Sequence, residues 1–257
     1  MQQCTFASSS RANCALLRSG GTAILVDAGI SCRKIRQRLQ SAGLTPDDLS
    51  GILITHEHTD HISGLPVFLK HHPMPLYATP GTGVALARKN PQFQALLHTL
   101  PAGSAFTVGN LGVESFSTSH DAADSVGYRI SDESRTAVIA TDLGRVTSIV
   151  LDAVCGADLA IIEANHDEDW LRTGPYPIAL QNRILGDRGH LSNEASAEFA
   201  ISLTAAGAET LLLAHLSPEN NTPERAYQVV RHHLEQVHLH PKLSVLPKDD
   251  CSELINF

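Results

Sequence analysis

Residues 51–61 read Gly51-Ile52-Leu53-Ile54-Thr55-His56-Glu57-His58-Thr59-Asp60-His61, an apolar run that passes without a turn residue into HxHxDH. The run Gly51 to Thr55 has the length and β-branched content of a buried strand. The loop after it presents three imidazoles and one carboxylate. A single tetrahedral zinc cannot take that many ligands from adjacent positions, so the loop is expected to divide them between two metals. Fourteen histidines in 257 residues fit that reading, because neutral imidazole is the commonest ligand for borderline metals.

Outward from the motif, the first half alternates short apolar runs with helices. Thr22 to Asp27 is a strand ending at a carboxylate, and Ser31 caps a helix through Gln40 that Gly43 stops. Pro66, Pro73, Pro75 and Pro80 punctuate the next stretch, and Thr82 to Lys89 and Phe93 to Leu100 read as short helices. Ala105 to Val108, Leu111 to Thr118, Ser125 to Ser131 and Thr136 to Thr141 read as an antiparallel meander, its first turn at Gly109-Asn110. The second half returns to β/α order. A helix at Thr147 to Val154 precedes a strand at Asp158 to Glu163 and an irregular segment at Asn165 to Gly189. A helix at Ser192 to Ala206, a strand at Thr210 to Leu216 and a helix from Thr222 through Val237 complete the chain. No linker, repeat or low-complexity stretch divides it, so residues 1–257 are expected to form a single domain.

Composition narrows the class. Hydrophobic residues make up 42% of the chain and charged residues 18%, a balance that excludes disorder. No apolar stretch approaches the roughly 18 residues of a membrane span, and the start has no targeting pattern, so a cytoplasmic protein with no membrane partner is expected. Five scattered cysteines without a CxxC pair fit reduced thiols. A net charge of -8 excludes a uniformly basic coat but leaves room for a local groove. Arg33, Lys34, Arg36 and Arg38 crowd one helix, Lys70, Arg88, Lys89, Arg183 and Arg188 are further candidates for its rim, and Trp170, Tyr176 and Tyr227 are candidate stacking platforms.

Four more potential ligands or catalytic groups stand at ends of expected strands: His120 in FSTSHD, Asp142 in IATDLG, Glu163 and His215 in LLLAHLS. In that order, behind HxHxDH, the chain resembles the metallo-β-lactamase-fold superfamily of metallohydrolases. The resemblance implies a four-layer αββα sandwich, two mixed sheets face to face with helices outside. It assigns His56, His58 and His120 to a first metal, Asp60, His61 and His215 to a second, and Asp142 to a bridge between them. Zinc is the expected metal at both positions, with manganese or iron as alternatives. Asp27 matches an early Asp that supports the ligand loop, and Glu57 and Thr59 stay outside the metal shell.

Glu163 and His190, the latter in Gly189-His190-Leu191-Ser192, resemble the phosphodiesterase branch that includes tRNA 3′-processing enzymes. There a Glu orients a His that protonates the leaving alkoxide. Asp60, His190 and Glu163 are therefore the residues expected to carry the reaction. The nucleophile implied is a metal-bridging hydroxide, and no GxSxG nucleophile is needed. Longer runs are similar to the YycJ/WalJ group of the superfamily: SSSRANC at 8–14, VDAGISCRKI at 26–35, HEHTDHISGL at 56–65, NHD at 165–167 with GPYP after it, RILGDRGHLSNE at 183–194 and HLSPENN at 215–221. Ser9 and Ala12 stand where that group tends to have glycines, and Ser125 where it tends to have proline. The group implies a 5′-to-3′ exonuclease on DNA, with nucleic acid as substrate. A thioesterase or lactonase of the same fold is the alternative, since hydroxide attacks carbon as readily as phosphorus, and a non-catalytic metal-binding module is a third reading. A β-lactamase fits less well, because those enzymes usually lack the bridging Asp.

Overall fold

The computed structural model describes residues 1–257. Its first half builds one sheet. The N-terminal hairpin pairs β1 (Gln2–Ser9) with β2 (Ala12–Ser19), and β3 (Thr22–Val26) continues the antiparallel order. Helix α1 (Cys32–Ser41) then crosses over, and β4 (Leu49–Leu53) pairs parallel with β3. After α2 (Thr59–Ile62) and α3 (Leu65–His71) come β5 (Leu76–Ala78), α4 (Pro80–Lys89) and β6 (Leu97–Thr99), the last two strands again parallel.

The second half builds the other sheet in the same antiparallel-then-parallel manner. β7 (Ala105–Val108), β8 (Leu111–Ser117), β9 (Val126–Ser131) and β10 (Thr136–Ala140) form the antiparallel meander read from the sequence. Its first turn is at Gly109-Asn110, where only Gly109 has positive φ, at 59°. Helix α5 (Ser148–Val154) leads to β11 (Leu159–Glu163), and α6 (Glu168–Thr173), α7 (Ile178–Leu185) and α8 (Asn193–Ala205) lead to β12 (Thr210–Ala214). Helix α9 (Pro223–Gln236) and β13 (Lys242–Val245) extend the parallel part, while the short β14 (Ile255–Asn256) returns to the free edge of β1. Each sheet has seven strands.

Alternation of side chains explains why the strands read as unbroken apolar runs. In the first sheet Leu17, Ile24 and Leu53 face Val113, Tyr128, Ile161 and Leu212 of the second, forming the central core. Their chain neighbours Leu16, Leu25 and Ile52 turn outward onto Ile35, Leu39 and Phe68 of α1 and α3. The second sheet likewise turns Val138, Ile162 and Leu213 onto Val150, Phe199, Val230 and Leu234 of α5, α8 and α9. The result is the four-layer αββα sandwich.

Three segments depart from the sequence reading. Phe93 to Leu100 is not a helix: a 3-10 turn at Pro91–Ala95 ends in β6, because parallel pairing with β5 outweighs a helical pattern too short to nucleate. The Pro-punctuated stretch contains α3 and β5, Pro66 being tolerated in the first helical turn, where no amide donor is needed. Asn165 to Gly189 is not irregular throughout. Asp167 caps α6 by accepting from Trp170 N, and α7 follows Pro177.

Candidate metal centre

The C-terminal ends of the parallel strands meet along one rim of the sandwich. Asp27 follows β3, the HEHTDH loop follows β4, Asp142 follows β10, Glu163 ends β11 and His215 follows β12. His120 arrives from the loop after β8. Asp27, Asp142 and His215 share a left-handed backbone with φ of 60°, 58° and 58°. Such a conformation is unfavourable for a side-chain-bearing residue, and it turns the chain sharply where the side chain must enter the rim. Two glycines let the HEHTDH loop sit tightly. A Cβ on Gly29 would fall 1.6 Å from the Asp60 carbonyl oxygen, and one on Gly64 would fall 1.9 Å from that of Ile30.

All seven residues expected to bind metal converge there. The ligand atoms of His56, His58 and His120 lie within 4.8 Å of one another, and so do those of Asp60, His61 and His215. Asp142 stands between the groups. Its Oδ1 is 3.7 Å from His120 Nε2 and 3.6 Å from His215 Nε2, and its Oδ2 is 3.4 Å from His61 Nε2.

Hydrogen bonds on the far side of each ring decide which nitrogen faces the centre. His120 Nδ1 lies 3.2 Å from the Gly189 carbonyl, an acceptor only, so Nδ1 carries the proton. The same logic applies to His61 Nδ1, 2.7 Å from Asp27 Oδ2, and to His215 Nδ1, 2.7 Å from Glu163 Oε1. Thr55 Oγ1 donates to Asp27 Oδ2 at 2.9 Å and lies 3.0 Å from His56 Nδ1, from which it accepts. The opposite nitrogens, His56 Nε2, His61 Nε2, His120 Nε2 and His215 Nε2, are thereby left to face inward.

A cation fits what they face. His120 Nε2 and His58 Nδ1 are 3.3 Å apart, a separation that two lone pairs tolerate only with a proton or a metal between them. His56 Nε2 and Asp142 Oδ2 are buried with no hydrogen-bond partner. Burial opposes charge on Asp142, yet His215, His61, His56 and His120 hold its carboxyl well below the usual range. Burial keeps His56 and His120 below the ordinary imidazole value, in the neutral form a metal takes. On the other side, burial is outweighed by Asp142, Asp60 and Glu163, and His215 is raised to about 10. Protons stand there for the positive charge that the carboxylates require.

Glu163 does more than the sequence reading assigns. Its Oε1 lies 2.8 Å from His190 Nδ1 as well as 2.7 Å from His215 Nδ1, and its Oε2 accepts from the amides of Leu143 and Leu191 at 2.9 and 3.1 Å. Four donors saturate the carboxylate, which makes it a buried anchor and not a ligand. Burial works against its charge, but the two histidines keep it at about 2. His190 is the less buried of the two, with 18% of its side chain exposed, and its Nδ1 is 3.8 Å from Asp142 Oδ1.

A family model described as "Beta-lactamase superfamily domain" matches residues 22–216. Exodeoxyribonuclease WalJ of Streptococcus pneumoniae serotype 2 is 39% identical over 238 residues, covering 91% of this chain and 88% of that protein. The chain belongs to the metallo-β-lactamase superfamily, in its WalJ/YycJ group. A ribonuclease Z of a Mycobacterium species is a more distant superfamily relative, 28% identical over 233 residues that cover 79% of this chain and 77% of its own. Among solved superfamily folds, YhfI from Bacillus subtilis aligns over 98% of this chain and 100% of its own with a TM-score of 0.70 at 18% identity. Superfamily membership makes this chain a metal-dependent hydrolase, with divalent ions as its cofactor class.

Other expected residues divide. Glu57 Oε1 accepts from Ala123 N at 2.9 Å. Lys89 Nζ donates to the Glu57 carbonyl at 2.6 Å, Arg188 donates twice to the His120 carbonyl at 3.1 and 2.9 Å, and Arg183 Nε donates to Asp121 at 2.5 Å. These three cations rim the centre. Helix α1 contributes less than its composition promises, since Arg38 pairs with Asp250 at 2.8 Å. Arg33 and Arg36 line a cavity of about 610 Å³ against Val67 and His71 of α3, and none of the seven expected metal ligands lines it. Trp170 lies under the Arg225 guanidinium, 5.0 Å from the ring centre, and the Tyr176 hydroxyl donates to Glu219 at 3.1 Å.

Sequence reasoning misses Ser8, Asn13 and Thr55 as parts of the centre, and also His166, whose two ring nitrogens are buried without partners. The signal for Ser8, Asn13 and Thr55 is position: SSSRANC spans the turn of the β1–β2 hairpin and Thr55 precedes the first His. No side-chain chemistry marks Ser8, Asn13 or Thr55 as functional until the rim is assembled.

No helix of the chain is long and apolar enough to cross a membrane.

Proposed function

We propose that the chain is a dinuclear metal-dependent phosphodiesterase, a DNA exonuclease working from the 5′ end. Kinship with an exodeoxyribonuclease at 39% identity supports nucleic acid as the substrate class and DNA as the first candidate. The observation that carries the reaction type is the Glu163–His190 pair, placed 3.8 Å from Asp142 at the exposed side of an otherwise buried centre.

His56, His58 and His120 would hold one ion, Asp60, His61 and His215 the other, and Asp142 would touch both. Bound there, two divalent ions supply charge neutralisation and water activation for in-line attack on phosphorus. His190 does what they cannot. With Nδ1 committed to Glu163, its Nε2 is free to carry a proton toward the departing oxygen. Glu163 stabilises the imidazolium that the donor must be beforehand. An alkoxide needs that proton. A thiolate does not, which favours the phosphodiester over the thioester, and kinship with an exodeoxyribonuclease favours it over the lactone, whose leaving oxygen is also an alkoxide. The same donor would serve a ribose-containing strand, and kinship with a ribonuclease Z keeps RNA as the second reading.

His190→Ala should retain its metals and lose about 10²–10⁴-fold in turnover on a DNA phosphodiester, the usual range for general acid catalysis. On bis-nitrophenyl phosphate the loss should be much smaller, because nitrophenolate leaves unprotonated. Equal losses on both substrates would refute the proton-donor role. Strands labelled at the 5′ or 3′ end, as DNA and as RNA, read polarity and sugar preference in the same assay, and release from 3′ ends alone would refute the stated direction.

A further inference from the structure

The tip of the β1–β2 hairpin reaches into the centre from outside every strand end that supplies a donor. Asn13, 8% exposed, folds its side chain back so that Nδ2 donates to the Ser9 carbonyl at 3.0 Å. That bond orients the amide and leaves the second N–H to meet Asp60 Oδ2 at 3.2 Å. Both neighbours are acceptors only, which fixes nitrogen and not oxygen on that side of the amide. The same Nδ2 is 3.1 Å from His61 Nε2, the nitrogen left free by the bond from Nδ1 to Asp27. Five residues earlier, the buried Ser8 Oγ accepts from His215 N at 2.9 Å, holding the backbone of the residue with φ of 58°.

Asp60, His61 and His215 are the second donor group, and the hairpin touches all three. It makes no hydrogen bond to His56, His58 or His120. We propose that this hairpin is the positioning element of the second metal site, with Asn13 setting the Asp60 carboxylate and Ser8 setting the His215 backbone. The inference rests on the dinuclear reading above. Asp60 needs such help: it sits in the short α2, its side chain is 23% exposed, and unlike His61 and His215 of the same group it has no buried carboxylate behind it. A carboxylate free to rotate loses ligand geometry and entropy on binding. One whose Oδ2 is already engaged by a fixed amide does not.

The test is metal binding, read without turnover. The full chain is stripped of metal and titrated with Zn²⁺ against a chromophoric chelator. Wild type should take two ions. Asn13→Leu keeps the side-chain volume and removes the donor. It should weaken one site by about 10–100-fold, the range for loss of a partner behind a ligand, and leave the other unchanged. Ser8→Ala should weaken the same site less. Activity of both variants should recover as Zn²⁺ is raised, which a misfolded rim would not do. Two wild-type-like affinities in both variants would overturn the inference while leaving the dinuclear reading intact, and so would equal weakening of both sites together with a lowered Tm. A wild type that takes only one ion would overturn the dinuclear reading and this inference with it.

Discussion

Asp142 is the residue on which both donor groups converge. It is buried, left-handed at φ 58°, and lies 3.4 to 3.7 Å from imidazoles of each group. An alanine there would combine loss of charge with a strained backbone, whereas asparagine tolerates the left-handed region. Asp142→Asn therefore isolates the charge. Metal analysis of the purified variant should show both ions depleted, while His58→Ala, whose ring meets only His56 and His120 among the donors, should lose one. A full pair retained in Asp142→Asn would remove the bridging role. The seven donors are legible in the sequence because each has a side chain whose chemistry announces it. Asn13, Ser8 and Thr55 are not, because amides and hydroxyls are common in strands and turns, and only the assembled rim shows that theirs point at ligands. Glu163 is half legible: its bond to His190 is expected from the sequence, its equal bond to His215 is not.

At the scale of elements, legibility follows burial. β3, β4, β10, β11 and β12 are buried along nearly their whole length and read as apolar runs, and their ends carry the site. β5 and β6 have three residues each, too few for any periodicity to emerge, so the pairing partner and not the local sequence determines them. The α6–α7 segment is obscured by Gly174, Pro175 and Pro177, which separate two short helices, α6 capped by Asp167 and α7 starting after Pro177 without a side-chain cap. Basic residues mislead in a related way. Helix composition points to α1, but the bonds to the ligand loops belong to Lys89, Arg183 and Arg188. Neutralising Lys89 and Arg183 together should weaken nucleic-acid binding on any sequence. It should also flatten the plot of log affinity against log salt by about 0.7–0.9 for each phosphate no longer neutralised. Arg33→Ala with Arg36→Ala should leave that slope unchanged. The reverse ranking, measured by fluorescence anisotropy across a salt series, would return the substrate path to the α1–α3 groove.

For the molecule as a whole, the rim is a seam. His56, His58, Asp60 and His61 belong to the first sheet's loops, while His120, Asp142 and His215 belong to the second's, so each donor group draws from both halves. Two further bonds cross nearby: the Tyr128 hydroxyl donates to the Ile54 carbonyl at 2.8 Å, and Val126 N donates to the Thr55 carbonyl at 3.1 Å. Metals bound at the rim would join the sheets where the apolar core between them ends. Ligands that bind only the native state stabilise it by mass action, about 2.7 kcal/mol at a hundred times the dissociation constant. Chelation should therefore lower Tm by several degrees, and the metal-free protein should keep its secondary structure because the three apolar clusters do not depend on the rim. Tyr128→Phe leaves the Ile54 carbonyl buried and unpaired, a loss of about 1–3 kcal/mol. Because Ile54 is two residues before His56, that loss should fall more heavily on the metal-free form, where only the bonds from Val126 N to the Thr55 carbonyl and from Ala123 N to Glu57 then tie the loop to the second half. The measurement is a double cycle of Tm with and without Zn²⁺ for wild type and Tyr128→Phe. A metal-dependent rise in Tm that is larger in the variant supports the seam, and identical rises would mean that the rim and the inter-sheet core fold as independent units.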